Sequence, residues 1–511
     1  MLNSRQFSRR QWLQRAGCSL SVAAIVASRF PRAAVGETAI GQPPREFRVR
    51  LDPSVASKPY SGRVYLFLTT QQREPRLLGE SWFHPEPLLA KDVVNLRPGD
   101  EVVLSTADKT LLRDPVDWSQ VDLSAFRAQA VIRLNPWERT IGTGAGNVCS
   151  PVVTLGDAGS AIDLSCSQLI SHRPTPEAPG CRLLTVRSDR LSRFYGRDVS
   201  VQGMVRLPAS YDDHPERRYP VIFEIPGFGG TATHGFRPEP VPETNHLGVE
   251  FIRVMLDPSC PLGHHVFADS ANNGPWGTAL VKDFLPALSA EYRCIDEPRG
   301  RLLTGHSSGG WSSLWLQLNW PETFGGVWST APDPVDFRDF QRINLYQAGE
   351  NMYLDSHGQR RPLARRGADV LLWYDTFCHR EDVLGPGGQL HSFEACFSPQ
   401  GPAQRPQLLW NRHTGEINPA VAAAWKPFDI RLYIEDRWTT LAEHLTGKLH
   451  IHMGEQDTFL LDGACRKLQS TLRELGSDAV VELHPDRDHS NLFSSELRGR
   501  ISQEMAGIVQ S

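Results

Sequence analysis

Residues 301–320 constrain the fold more than any other stretch. Arg301-Leu302-Leu303-Thr304 reads as a short apolar strand, Gly305-His306-Ser307-Ser308-Gly309 follows at once, and Trp311, Leu314, Trp315 and Leu318 then recur at helical spacing as far as Trp320-Pro321. A chain that passes from strand to helix in so few residues must turn sharply. Glycines at 305 and 309 leave room for that turn, and the turn pushes the Ser307 hydroxyl out over a sheet edge. The start of the helix sets the Ser308 amide beside the atom the hydroxyl would attack. As a bare G-x-S-x-G pattern this is weak, and a glycine-rich structural turn is the competing reading; the strand before it and the apolar helix after it give it weight.

Strands and helices alternate around this turn, which is the pattern of a mainly parallel sheet. Tyr219–Ile225 is a mostly apolar run that ends in Pro226-Gly227-Phe228-Gly229-Gly230. Val249–Met255 and Val327–Thr330 read as further strands, and Ala279–Arg293 as a helix kinked at Pro286. Alternation fails over residues 337–445, a stretch too long for a structureless loop and better read as an inserted cap with helices of its own. It resumes with strand Lys448–Met453, helix Leu461–Leu475 and strand Ala479–His484. Upstream, residues 44–185 are different: Phe47, Val49 and Leu51 alternate with Arg48 and Arg50, and several short strands are separated by turns such as Arg97-Pro98-Gly99-Asp100. That is the pattern of a β-sandwich. It carries no catalytic pattern, so it reads as a structural domain packed on the catalytic one, with a substrate-binding module as the alternative.

Residues 1–36 read as a targeting segment. Arg9-Arg10, flanked by Arg5 and Arg15, precede a mildly apolar stretch from Cys18 to Ala27, and Ala34-Val35-Gly36 is a candidate cleavage site. Paired arginines of this kind match a twin-arginine signal, so the Tat export machinery is an expected partner and the periplasm or the outside of a bacterial cell the expected location. Eight cysteines follow Cys18, an even number that fits disulfides in an exported protein. Cys378–Cys396 and Cys260–Cys294 are the plausible pairs; Cys465 reads as core. No Cys/His spacing suggests a metal site, and His264-His265 is too isolated to be one. No nucleotide-binding fingerprint occurs, so no cofactor is expected. A net charge of −4 with no basic cluster in the body argues against nucleic acid, and no apolar run of spanning length argues for stable membrane insertion.

A serine hydroxyl attacks only when a base takes its proton. His489, in Asp486-Arg487-Asp488-His489-Ser490-Asn491 just after a strand, is the candidate base, and Asp457, in Gly454-Glu455-Gln456-Asp457 after the preceding strand, the candidate acid, with Glu455 and Asp462 as alternatives. An oxyanion would need two backbone donors: the Ser308 amide and one from the loop after Ile225, Phe228 or else Gly227. Asn273 and Trp276, in Asn272-Asn273-Gly274-Pro275-Trp276-Gly277, together with His306 beside the serine, are candidates to line a substrate pocket, although a packing turn explains the Asn272–Gly277 stretch as well. Trp373, Tyr374, Phe377, Phe393, Phe397, Trp410 and Trp425 in the insertion could hold an aromatic acyl group or a sugar, but fit better as its own core.

Pro226–Gly230, Asn272–Gly277, Gly305–Gly310, Gly454–Asp457 and Asp488-His489 occur in that order. Together they resemble the Putative esterase family (esterase D and enterochelin-esterase-like), which includes feruloyl and acetyl-xylan esterases, siderophore esterases and mycolyltransferases. The resemblance covers about residues 190–335 and 445–500. It implies an α/β-hydrolase domain at 186–511 with a mostly parallel central sheet, no cofactor, and the triad Ser307, Asp457 and His489. Pro226 stands where relatives often carry histidine, so the oxyanion loop is expected to be shaped differently. The leading expectation is a serine hydrolase that cleaves carboxylic esters through an acyl-enzyme, on a small-molecule or carbohydrate ester such as an ester-decorated polysaccharide. Acyl transfer, peptide cleavage on the same triad and non-catalytic binding on a hydrolase scaffold are the alternatives.

Overall fold

In the computed structural model of the protein, residues 45–118, 121–156, 161–239 and 247–511 are described. They belong to one compact unit, Gln42–Ser511. The expected targeting segment, residues 1–36, lies outside the described residues. Among the described residues no helix is long and apolar enough to cross a membrane.

The N-terminal region is β-rich. Glu46–Leu51 pairs with Glu101–Ser105 and Ile162–Cys166 in a three-stranded sheet, and Tyr60–Thr69 is central to a second, seven-stranded sheet with Leu88–Leu96 and Arg127–Ile132 on either side. The alternation of Phe47, Val49 and Leu51 faces these residues into a core shared with Val64, Leu66 and Leu68 of the second sheet. Tyr65 and Phe67, one residue out of phase, face the other way and pack on Val383, which belongs to the helix Tyr374–Leu384 inside the long insertion. The last carbonyls of that helix have no partner within it. Arg63 Nη1 donates to the carbonyls of Asp382 (2.6 Å) and Val383 (2.9 Å), and the Tyr65 hydroxyl donates to that of Leu384 (2.6 Å). The β region therefore docks on the insertion and closes the end of one of its helices. The strand Leu88–Leu96 carries Lys91, Asp92 and Asn95 on its polar half, which hid it in the sequence.

The main sheet has eight strands, in the order Cys181–Arg187, Ser200–Arg206, Ile252–Leu256, Val221–Ile225, Arg301–His306, Gly326–Thr330, Leu449–Gly454, Val480–His484. The first two pairings are antiparallel and the other five parallel. Strands buried on both faces read as unbroken apolar runs, and Gly326–Thr330 is buried throughout. The helix Ser308–Asn319 is buried at every residue from Ser308 to Leu318, as its apolar circumference requires. It lies under the insertion: Trp311 meets Phe397 (5.1 Å between ring centres), and Trp315 meets Tyr433 (5.1 Å).

Residues between Thr330 and Leu449 form a hairpin (Pro362–Arg366 with Asp369–Trp373) and the helices Tyr374–Leu384, Gln389–Phe397, Pro419–Trp425 and Ile430–Leu445. Phe393, Phe397 and Trp425 pack against one another and the rings of Phe337 and Phe340, and with Tyr374 and Trp410 they are buried in the same core as the main sheet.

One expectation is corrected. No disulfide forms: the cysteines from Cys149 to Cys465 are all buried free thiols. Cys378 lies beside the Tyr353 hydroxyl (3.2 Å), and Cys396 donates to the His264 carbonyl (3.2 Å) and shares the Asn273 side chain with Cys260 (3.5 and 3.6 Å), so the thiols expected to pair have other partners. The helix expected around Pro286 is irregular just before the proline. Leu280–Phe284 is a π turn that hands over to Leu285–Glu291, so the wider turn absorbs the proline's missing donor.

Candidate active site

Ser307 sits at φ 59°, ψ −125°, a strained conformation between the strand Arg301–His306 and the helix Ser308–Asn319. The residues two positions to either side must be glycine. A Cβ at Gly305 would lie 2.1 Å from the Gly309 carbonyl oxygen, and one at Gly309 would lie 1.9 Å from that of Ile225. The Ser307 amide donates to the Thr330 carbonyl (3.0 Å), and its own carbonyl accepts from the Trp311 amide (3.0 Å). The backbone thus fixes the turn while the hydroxyl stays clear of the helix.

His489 Nδ1 lies 2.7 Å from Asp457 Oδ2. A carboxylate only accepts, so Nδ1 carries the proton and Nε2 is left unprotonated, able to accept one. Asp457 Oδ1 accepts from the amides of Phe459 (2.9 Å) and Leu461 (3.3 Å), which hold the carboxylate in place. The imidazole is bracketed by the His306 ring (4.7 Å) and by Phe459 edge-on (4.9 Å). Burial on its own would lower the His489 pKa; the charge and hydrogen bond of Asp457, helped by Asp333, outweigh it and raise the pKa above its ordinary value. The alternative acids are engaged elsewhere: Glu455 pairs with Arg466 (3.2 Å) and Asp462 with Arg342 (2.7 Å).

The Ser307 hydroxyl does not hydrogen-bond His489. It faces Asp333, whose Oδ1 is 3.4 Å away, while Asp333 Oδ2 accepts from the Ser308 hydroxyl (2.5 Å). Free enzymes often hold catalytic hydrogen bonds loosely until substrate arrives. Asp333 is buried, and burial pushes its pKa up to about 6. The sequence argument missed this carboxylate. Its signal was positional, an aspartate bracketed by prolines in Pro332-Asp333-Pro334, directly after the strand next to the serine's own; the carboxyl ends of such strands are where ligands bind.

The Gly227 backbone abuts the serine: a Cβ there would be 3.1 Å from Ser307 Cβ and 3.7 Å from Oγ. His264, buried and held neutral with its pKa lowered to about 4 by that burial, donates from Nε2 to the Pro226 carbonyl (3.1 Å) and accepts at Nδ1 from the Val266 amide (3.0 Å). It pins the start of this loop in place. The amides of Gly227, Phe228 and Ser308 donate to no protein acceptor among the described residues, so they remain available to an oxyanion. His306 Nδ1 meets the Thr330 hydroxyl at 3.1 Å. Asn273 is fully buried between the thiols of Cys260 (3.6 Å) and Cys396 (3.5 Å). Trp276 is buried and stacked on His265 at 4.0 Å. Both brace the core beneath the site.

The N-terminal region reaches the site as well. Trp82 stacks on Phe228 (5.5 Å) and meets Phe377 (5.1 Å) and Phe459 (6.2 Å) edge-on. Its sequence context, Gly79-Glu80-Ser81-Trp82-Phe83, carries no periodicity that would have shown it.

Among the described residues, His452, Glu482 and His484 bring three ligand atoms within 4.8 Å of one another. Arg500 Nη2 already lies 3.3 Å from His452 Nδ1 and 2.5 Å from Glu482 Oε2. A guanidinium therefore supplies the positive charge there.

A model of the Putative esterase family matches residues 195–490, more than half of the chain. No curated protein matches it in sequence. Similar solved structures include an S-formylglutathione hydrolase from Agrobacterium tumefaciens, 17% identical, covering 65% of this chain and 98% of that one at a TM-score of 0.37. The fluorophosphonate-binding serine hydrolase F of Staphylococcus aureus is 10% identical, covering 65% and 99% at 0.38. A ferulic acid esterase from Anaeromyces mucronatus is 15% identical, covering 67% and 93% at 0.34. These likenesses are distant and add no argument to the family match. The chain belongs to the Putative esterase family, whose members share the α/β-hydrolase fold, and it is a carboxylic ester hydrolase.

Proposed function

We propose that Ser307, His489 and Asp457 cleave the ester through an acyl-enzyme. The observation that carries this reading is the buried 2.7 Å contact between His489 Nδ1 and Asp457 Oδ2 beside a serine held at φ 59°. Rotation about χ1 turns the Ser307 hydroxyl from Asp333 to His489 Nε2, which takes the proton as Oγ attacks the carbonyl carbon. The amides of Ser308 and of Phe228 or Gly227 receive the oxyanion; each such donor contributes about two to three orders of magnitude in rate. The imidazolium, stabilised by Asp457, then protonates the leaving alkoxide. Water, deprotonated by the same nitrogen, releases the acid and restores Ser307.

The residues 337–445 act as a cap over this site in the same reading, and the Arg9-Arg10 segment directs export. An ester-decorated polysaccharide fits that compartment. The test of the mechanism is turnover of matched 4-nitrophenyl ester and 4-nitroanilide substrates, with intact-mass detection of the acylated chain. Ester turnover with an acyl adduct on Ser307, absent in Ser307→Ala, is expected. Equal turnover by Ser307→Ala would overturn the assignment.

A further inference from the structure

A cavity lies beside the oxyanion loop, at the meeting of three parts of the chain. Trp82 and Arg139 come from the N-terminal β region, Phe228 from the loop that abuts Ser307, and Phe377, Arg380 and Glu381 from the helix Tyr374–Leu384. Two of its lining residues are chain neighbours of residues at the nucleophile. Phe228 follows Gly227, which abuts Ser307. Gly388 precedes Gln389, whose Nε2 is 3.3 Å from the Ser308 hydroxyl and 3.4 Å from Asp333 Oδ2. The cavity therefore lies against the two segments that flank Ser307.

Four charged side chains line it, and three are already engaged. Glu80 Oε1 accepts from the amides of Ile141 (2.7 Å) and Gly142 (3.2 Å). Arg380 pairs with Asp114 and donates to the Gly79 carbonyl at 2.7 Å. Glu381 caps the helix Gln389–Phe397, accepting from the amides of Gln389 and Leu390. Arg139 alone has neither a hydrogen-bond acceptor nor an ion pair among the described residues. Its guanidinium carbon lies 4.9 Å from the centre of the Phe228 ring, and a Cβ at Gly229 would lie 3.8 Å from its Nη2. A half-buried guanidinium held on a ring face keeps its in-plane donors free for an oxyanion-bearing ligand.

We propose that the N-terminal β region builds one wall of the substrate pocket and that Arg139 on that wall binds an anionic group of the ester, a carboxylate in its acyl or alcohol half. The proposal rests on the ester-hydrolase reading of Ser307. Trp82, stacked on Phe228, gives the same wall an apolar face for the part of the substrate between the anion and the ester. A charge-assisted contact of this kind makes a difference of about ten- to a hundred-fold.

The test compares matched pairs on the full-length protein at low ionic strength. One pair places the anion in the acyl half: mono-4-nitrophenyl adipate against its methyl ester. The other places it in the alcohol half: 4-acetoxyphenylacetate against its methyl ester. The wild type is expected to favour the anionic member of one pair in kcat/KM by at least about ten-fold, and that pair identifies the half. In Arg139→Gln the ratio should collapse toward one, and Arg139→Lys should restore part of it. Added salt should compress the wild-type ratio. A wild-type ratio at or below one in both pairs, with neutral esters turned over and Ser307 labelled by a fluorophosphonate, overturns this proposal and leaves the esterase reading standing. An anionic preference unchanged in Arg139→Gln overturns the role of Arg139. No turnover and no labelling of folded protein overturns the esterase reading itself.

Discussion

Asp333→Asn should stabilise the protein at alkaline pH, and the size of the effect follows from the buried carboxylate. Asp333 titrates near 3.8 in the unfolded chain and at about 6 in the folded one. A raised acid is a group that folding prefers protonated. Its penalty is absent below the unfolded value and fully present above the folded one. The difference of about 2.2 units corresponds to about 3 kcal/mol of destabilisation at pH 8. Asparagine removes that penalty but weakens the short hydrogen bond from the Ser308 hydroxyl, at a cost of about 1–2 kcal/mol. The net gain is about 1–2 kcal/mol at pH 8. By the same linkage the gain shrinks by about 2 kcal/mol between pH 8 and pH 4.5, so the variant ends equal to or below the wild type there. Urea unfolding of both proteins at matched pH measures this: groups whose surroundings do not change cancel in the difference, and His489, whose pKa the Asp333 charge helps to raise, loses stabilisation in the variant only toward acid pH, in the same direction as the predicted trend. A difference that does not vary with pH, or a variant weaker at pH 8 than at pH 4.5, would refute the placement of a buried carboxylate beside Ser307.

The remaining predictions concern the triad, the turn and the thiols. The kcat/KM for ester cleavage should fall on acidification through a midpoint above about 6.5, since the base must be neutral and its pKa is raised; Asp333→Asn should shift that midpoint down, because the Asp333 charge helps to raise it. Asp457→Asn should lower kcat by about four orders of magnitude with the fold intact by circular dichroism, because the imidazole loses its correct tautomer. Gly305→Ala should fail to accumulate as soluble protein, since its Cβ would lie 2.1 Å from the Gly309 carbonyl oxygen; normal yield and thermal stability would contradict the turn geometry. Reductant should leave the melting temperature unchanged within about a degree, since all eight described cysteines are free thiols and no cross-link restrains the unfolded chain.

Much of the catalytic half was legible because its signals are local. The Leu302–Gly309 stretch encodes the strand, the sharp turn and the serine at its tip together, and the strands at 449–454 and 480–484 fall within a residue or two of their sequence-read limits. Asp457 and His489 were found as loop residues after successive strands, and the structure brings them to 2.7 Å. What was not legible is long-range. Asp333 lies 26 residues from Ser307 in a loop with no motif. Trp82 and Arg139 belong to a β region whose periodicity speaks only of its own core, and nothing in them encodes contact with Phe228. His264-His265, set aside for lack of metal spacing, turned out to brace the oxyanion loop and Trp276. The disulfides failed for a related reason. Cysteine number and the expected export suggest pairing, but which thiols meet is decided by the fold, and all eight described thiols are buried and free. The insertion's aromatics were read as core, and most are, Phe377 included; Trp373, only half-buried and lying under the Arg360 guanidinium, is the exception.

Fluorophosphonate labelling of the wild type and of Ser307→Ala, both verified as folded, tests the central claim most directly. The account predicts that the wild type is modified on Ser307, faster at pH 8 than at pH 5 as His489 loses its proton, and that the alanine variant is not modified. Equal labelling of both proteins, or none of the folded wild type at pH 8, would contradict it.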